Sequence, residues 1–168
     1  MKLLYILFVF FLAIEAASAQ ENFMVNSISF EGNKPFSGSV LRGIMLTKQS
    51  PAAVWRFLYS LGHLVGDSAQ YLDPLVLKAD LQRIKQFYFD NGFIYAQVDS
   101  SLKYNMKDQS VDIKVDIKKG PPAFVAVVRY HGIPDTTKSF RSLLLNRQMI
   151  KKGDRYAANK VDAEVQVF

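Results

Sequence analysis

The chain has 168 residues, a net charge of +6, two histidines and no cysteine, and 49% of its residues are hydrophobic. That length suits one ordinary domain or two small ones, and the missing cysteines exclude disulfide staples and thiolate metal sites. The positive excess is spread along the chain and reads first as a solvated basic surface; attraction to acidic headgroups or acidic partners is the functional alternative.

Lys2 is the only charge before the twelve apolar residues Leu3 to Ile14, and Ala16-Ala17-Ser18-Ala19 follows. This is the order of a secretory signal, with Ala17 and Ala19 in the A-x-A positions. A membrane span needs roughly 20 apolar residues, so cleavage after Ala19 is expected rather than retention as an anchor. Residues 1–19 are therefore assigned to the signal, and nucleic acid is not an expected partner of an exported chain.

Phe23 to Phe30 is β-rich, with Ile28 and Phe30 on one face and Ser27 and Ser29 on the other. Glu31-Gly32-Asn33-Lys34-Pro35 punctuates it as a turn. Ser37 then suits the N-cap of a short helix with Val40, Leu41 and Ile44 at helical spacing. A longer helix is predicted from the Asp73 cap and Pro74 to just before Gly92, with Leu77, Leu81, Ile84 and Tyr88 in one stripe. From Phe93 to Leu102 the period falls to two, with Ile94, Ala96 and Val98 on one side. After the polar turn Lys107 to Ser110, Val111, Ile113, Val115 and Ile117 alternate with Asp112, Lys114, Asp116 and Lys118. That pattern gives a strand with one buried and one wet face, forming an antiparallel hairpin with its predecessor. Gly120-Pro121-Pro122 ends the unit.

The opening pattern returns at an offset of one hundred residues: Val25, Ile28, Phe30, Gly32 and Ser39 meet Val125, Val128, Tyr130, Gly132 and Ser139. A second helix near Ala158 carries Val161, Val165 and Phe168 on one face. The expected organisation is one βααββ module over residues 22–121, with an inserted helical segment at 47–72. Residues 122–168 form the first half of a second module, whose unfinished apolar face suggests a piece of a longer protein.

Catalytic readings are weak. Gly66-Asp67-Ser68 imitates a hydrolase nucleophile motif, but neither His63 nor His131 stands in a pattern that would bring a base to Ser68. A secreted hydrolase using Ser68 is a minor alternative. No cofactor or metal is expected. Asp112 and Asp116 interleave with Lys114 and Lys118, as charge pairing across strands requires.

Taken together, Val25 to Asn33, Leu81 to Tyr88, Phe89 to Val98 and Val111 to Pro121 resemble polypeptide-transport-associated (POTRA) domains. In these a strand ends in Glu-Gly-Asn, the second helix ends in a Tyr shortly before an aromatic-flanked Gly, and a hairpin closes on Gly-Pro. The resemblance implies an α+β fold, a three-stranded mixed sheet covered on one face by two helices. The second unit departs from the pattern, with His131-Gly132-Ile133 in place of Glu-Gly-Asn. The combination is similar to outer-membrane protein assembly factors (BamA-like proteins). These imply a non-enzymatic scaffold on the periplasmic side of the bacterial outer membrane, with a C-terminal β-barrel beyond the present chain. Its expected partners are unfolded β-barrel precursors and accessory assembly lipoproteins. A related secretion transporter, or an anchored cell-division protein, is the alternative. With the last strand central, Phe93 to Ser101 would lie on an edge, where Tyr95, Gln97 and Asp99 are the candidate peptide-binding residues. Trp55, Phe57 and Leu58 are candidate partner or membrane contacts, against the plainer reading that they pack on their own module.

Overall fold

A computed structural model describes residues 22–52, 60, 68–129, 142, 146 and 148–167. Residues 1–19, expected to be a secretory signal, lie outside the described residues, as do Trp55, Phe57, Leu58, His63 and His131. Among the described residues the elements are β1 (Met24–Glu31), α1 (Gly38–Ile44), α2 (Pro74–Asp90), β2 (Gln97–Asn105), β3 (Ser110–Lys118) and α3 (Ala158–Val167). The first five make one α+β module whose sheet runs β1-β3-β2. β3 is central, parallel to β1 and antiparallel to β2.

Local chemistry sets the ends of these elements. Ser37 accepts the Val40 N–H at the start of α1, and Asp73 accepts the Leu75 and Val76 N–H groups at the start of α2. At the end of α2, Gly92 takes φ +85°, while the Gly92 and Phe93 N–H groups return to the Phe89 and Tyr88 carbonyls. In the hairpin turn, Asn105 Oδ1 accepts the Lys107 N–H and Asn105 Nδ2 donates to Asp108. Strand β2 begins at Gln97, four residues later than the alternation predicts. Phe93 to Ala96 instead make a turn closed by Ala96 N–H to Phe93 C=O, which leaves Ile94 exposed.

Val111, Ile113, Val115 and Ile117 of β3 are buried against Val25 and Ile28 of β1, Leu41 of α1, and Leu77, Ile84 and Tyr88 of α2. The opposite face of the sheet is polar. There Lys114 pairs with Glu31 at 2.8 Å and Asp116 at 3.4 Å, and Asp112 accepts from Asn26 and Ser27.

The features behind the family resemblance meet in space. Gly32 takes φ +68°, where a Cβ would stand 2.1 Å from the Ile117 carbonyl oxygen. That close approach brings Asn33 over the core, and its carbonyl accepts the hydroxyl of fully buried Tyr88 at 2.7 Å. Phe36, Phe87 and Phe93 surround Tyr88 edge-on or tilted, with ring centroids 4.6–6.2 Å apart among the four.

The hydrogen bonds that flank β1 recur one hundred residues on. Val25 donates to Gln70 and accepts from Ser50, while Leu72 donates to Phe23. Correspondingly, Val125 donates to Asp154 and accepts from Gly153, while Tyr156 donates to Ala123. The carboxylate of Asp80 on α2 accepts the Leu46 and Thr47 N–H groups, and that of Glu164 on α3 accepts those of Met149 and Ile150. Glu164, not Val165, is the buried residue of that turn of α3; Val165 is exposed. Residues 123–129 form no strand: among them Phe124 alone bridges, to Arg155, whereas β1 has Ser110–Asp116 of β3 beside it.

Candidate functional site

Two strands of this sheet lie at its flanks, and they differ. The outer side of β1 is occupied by its own chain: Gln70, Leu72 and Ser50 bond the backbone of Phe23 and Val25, and Arg42 Nη1 donates to the Ile28 carbonyl at 3.0 Å. Among the described residues, no backbone hydrogen bond from outside the sheet reaches Gln97–Asn105 of β2. This flank is therefore the candidate site.

The central strand fixes which groups face outward. Gln109 C=O accepts from Met24, Ile113 C=O accepts from Ser29 Oγ, and Ile117 C=O faces Gly32, so the odd-numbered residues of β3 serve β1. The even-numbered residues serve β2, where they stand opposite Asp99, Ser101 and Lys103. It follows that Val98, Ser100 and Leu102 direct their N–H and C=O groups away from the sheet. The side chains alternate the other way: Gln97, Asp99, Ser101 and Lys103 are on the wet face, while Val98, Ser100 and Leu102 lean towards the helices, half-buried. Gln97 and Asp99 thus share a face along the flank. Tyr95 does not belong to the strand; it is exposed in the preceding turn, close to the Cα of Gly120.

Beside the start of β2 a groove of about 240 Å³ runs between α2 and the 93–96 turn, lined by Gln82, Lys85, Gln86, Phe89, Phe93, Ile94 and Ala96. Phe89 and Ile94 expose apolar surface there, and Lys85 adds a positive charge. This groove was not expected from the sequence. Its signal was available in Phe89, an aromatic residue of α2 outside the Leu77–Tyr88 stripe.

Ser68 is exposed and its carbonyl accepts from Gln70 Nε2 at 3.4 Å; Gly66 and Asp67 lie outside the described residues. Asp112 and Asp116 lie on the wet sheet face. The Ser27 hydroxyl and the Asn26 amide hold the Asp112 carboxyl below its usual pKa, and Lys103 lies across the ladder from it. Beside Asp116, pairing with Glu31 raises the pKa of Lys114. No described helix is long and apolar enough to cross a membrane.

A three-stranded mixed sheet covered on one face by helices defines a class of small α+β modules. The chain belongs to the POTRA family: residues 23–120 match the profile described as "POTRA: Surface antigen variable number repeat". Among solved structures it is similar to POTRA domains 3–5 of Haemophilus influenzae BamA, at 18% identity and a TM-score of 0.50. That likeness covers 87% of this chain and 52% of the BamA structure, so the chain spans about half its length. CdiB from Escherichia coli matches at 17% identity and a TM-score of 0.35, over 60% of this chain and 15% of CdiB. The N-terminal domain of Omp85 from the cyanobacterium Thermosynechococcus elongatus matches at 16% identity and a TM-score of 0.39, covering 86% and 53%. No curated protein matches the sequence.

Proposed function

We propose that this chain is part of a non-enzymatic periplasmic scaffold that receives unfolded outer-membrane β-barrel precursors by β-augmentation and supports their insertion into the outer membrane. In this reading residues 1–19 direct export, accessory lipoproteins are further partners, and a β-barrel belongs to the whole protein. The observation that carries it is the difference between the two flanks: β1 is bonded by its own chain, while Val98, Ser100 and Leu102 turn their main-chain groups outward. Main-chain pairing is indifferent to client sequence, as a receptor for many precursors requires. Each bond contributes about 1 kcal/mol net, so holding is weak and reversible, which suits a client that must be passed on. Gln97, Asp99 and the nearby Tyr95 then meet alternate side chains of the client from the wet face.

Ser100→Pro tests the reading, because proline on an edge strand removes only the outward N–H and leaves the ladder to β3 intact. Fluorescence anisotropy with a labelled β-barrel strand peptide should show at least about tenfold weaker binding, with the thermal transition retained. Equal binding by the proline variant would sink the proposal.

A further inference from the structure

The groove beside β2 does not stand on the first unit alone. Arg155, from the segment that begins the second unit, donates from Nε and Nη2 to the Asn91 carbonyl at 3.0 and 2.6 Å. Its guanidinium carbon lies 4.2 Å from the centroid of the Phe93 ring. Tyr156 meets the ring of Phe89 edge-on at 6.2 Å. The Ala123 N–H donates to the Gly92 carbonyl at 2.7 Å, and a Cβ on Gly92 would stand 2.6 Å from the Tyr156 carbonyl oxygen. Phe89 and Phe93 also line the groove, Phe89 with exposed ring surface and Phe93 from beneath.

We infer that the client groove is completed across the joint between the units: Arg155 and Tyr156 are positioning residues, Arg155 holding the buried Phe93 that underlies the groove and Tyr156 the exposed Phe89, which with Ile94 offers the apolar surface for a large apolar side chain of the client. The physical basis is ordinary. A carbonyl at the end of α2 offers a partial negative charge to a guanidinium, and a cation on an aromatic face fixes the ring plane. Phe93 is 2% exposed, so its position is set by what packs around it, and Arg155 is one of those neighbours. The backbone edge of β2 is independent of this contact. Edge pairing and side-chain selection thus rest on different parts of the molecule.

The inference rests on the reading of β2 as a peptide-binding edge, and the test separates the two. The chain has no native cysteine, so Lys103→Cys and Lys160→Cys, both at exposed positions, can carry spin labels that report the distance between units. Binding is measured by anisotropy with two extended peptides of equal length, one with a central phenylalanine and one with serine in its place. Arg155→Ala should broaden the distance distribution and weaken the phenylalanine peptide about tenfold, leaving the serine peptide within about twofold. Arg155→Lys, which keeps the charge and loses the planar fork, should fall between. Tyr156→Ala should reproduce the selective loss through Phe89. A loosened joint with unchanged preference for phenylalanine overturns the inference and leaves the edge reading standing, as does a distance distribution that Arg155→Ala does not move. Failure of the wild-type chain to bind either peptide brings down both.

Discussion

Asp80 is fully buried on α2, yet it is a carboxylate. Burial works to raise its pKa; the Leu46 and Thr47 N–H groups and the Arg83 guanidinium outweigh it and hold the group below its ordinary value. A depressed carboxyl contributes stability that is present above the unfolded pKa near 4 and is lost as pH falls through the folded value. Asp80→Ala should therefore cost about 2–4 kcal/mol at neutral pH in denaturant melts, because two amides at the end of α1 lose their acceptor. The variant should also show a shallower acid limb than wild type. Tyr88 works at the opposite end of the scale. Burial pushes its hydroxyl up to about 12, so the folded state retains that proton longer than the unfolded one. Its contribution is complete below about pH 10 and is lost as pH rises from there towards 12. Tyr88→Phe should cost about 1 kcal/mol by removing the hydroxyl's hydrogen bond to the Asn33 carbonyl, which keeps only the Phe36 N–H, and should remove this alkaline component from melts recorded against pH. A fall in stability above pH 10 as steep in the variant as in wild type would assign the effect to other groups.

At the scale of elements, what could be read from the sequence followed the strength of each local signal. The Asp73 cap, Pro74, the Leu77–Tyr88 stripe and Gly92 agree with one another, and α2 forms where they place it. Strict alternation from Val111 to Ile117 likewise gives β3, with all four apolar residues buried. The start of β2 was not legible, because Phe93, Ile94 and Ala96 alternate as strand residues do. Phe93 is instead drawn into the aromatic cluster of Phe36 and Tyr88, and the chain turns before β3 is there to pair with it. That four-residue turn also takes Tyr95 off the strand and lines one side of the groove. Which main-chain groups point outward was also beyond the sequence, since the side-chain period fixes faces but not the hydrogen-bonding phase; the Ser29 and Gly32 contacts with β3 supply it. Gln97 and Asp99, which share a face of the outer strand, are therefore neighbours of the outward main-chain groups, not their owners.

At the scale of the whole chain, the two flanking hydrogen-bond patterns differ in the length of chain between their partners. The residues that bracket Val125 are adjacent, Gly153 and Asp154; those that bracket Val25 are Ser50 and Gln70, with residues 51–69 between them. Ser50 and Gln70 are nevertheless neighbours in space. Ser50 Oγ donates to the Gln70 carbonyl at 3.0 Å and accepts the Gln70 N–H at 2.8 Å. A loop whose ends already touch can be shortened without moving what it connects, and loop-closure entropy changes slowly with length. Gly153 takes φ +90° at the tight version of this corner, so a shortened first unit needs glycine at position 50. Deleting residues 51–69 together with Ser50→Gly should thus leave the β1-β3-β2 sheet and the Asp80 latch in place. The expected result is a cooperative melt within about 2 kcal/mol of wild type and unchanged binding of strand peptides at β2. The deletion also removes Trp55, Phe57 and Leu58, so any partner or vesicle binding lost from this otherwise intact variant would be assigned to that segment. Collapse of the sheet on deletion would show instead that residues 51–69 are part of the first unit's own core.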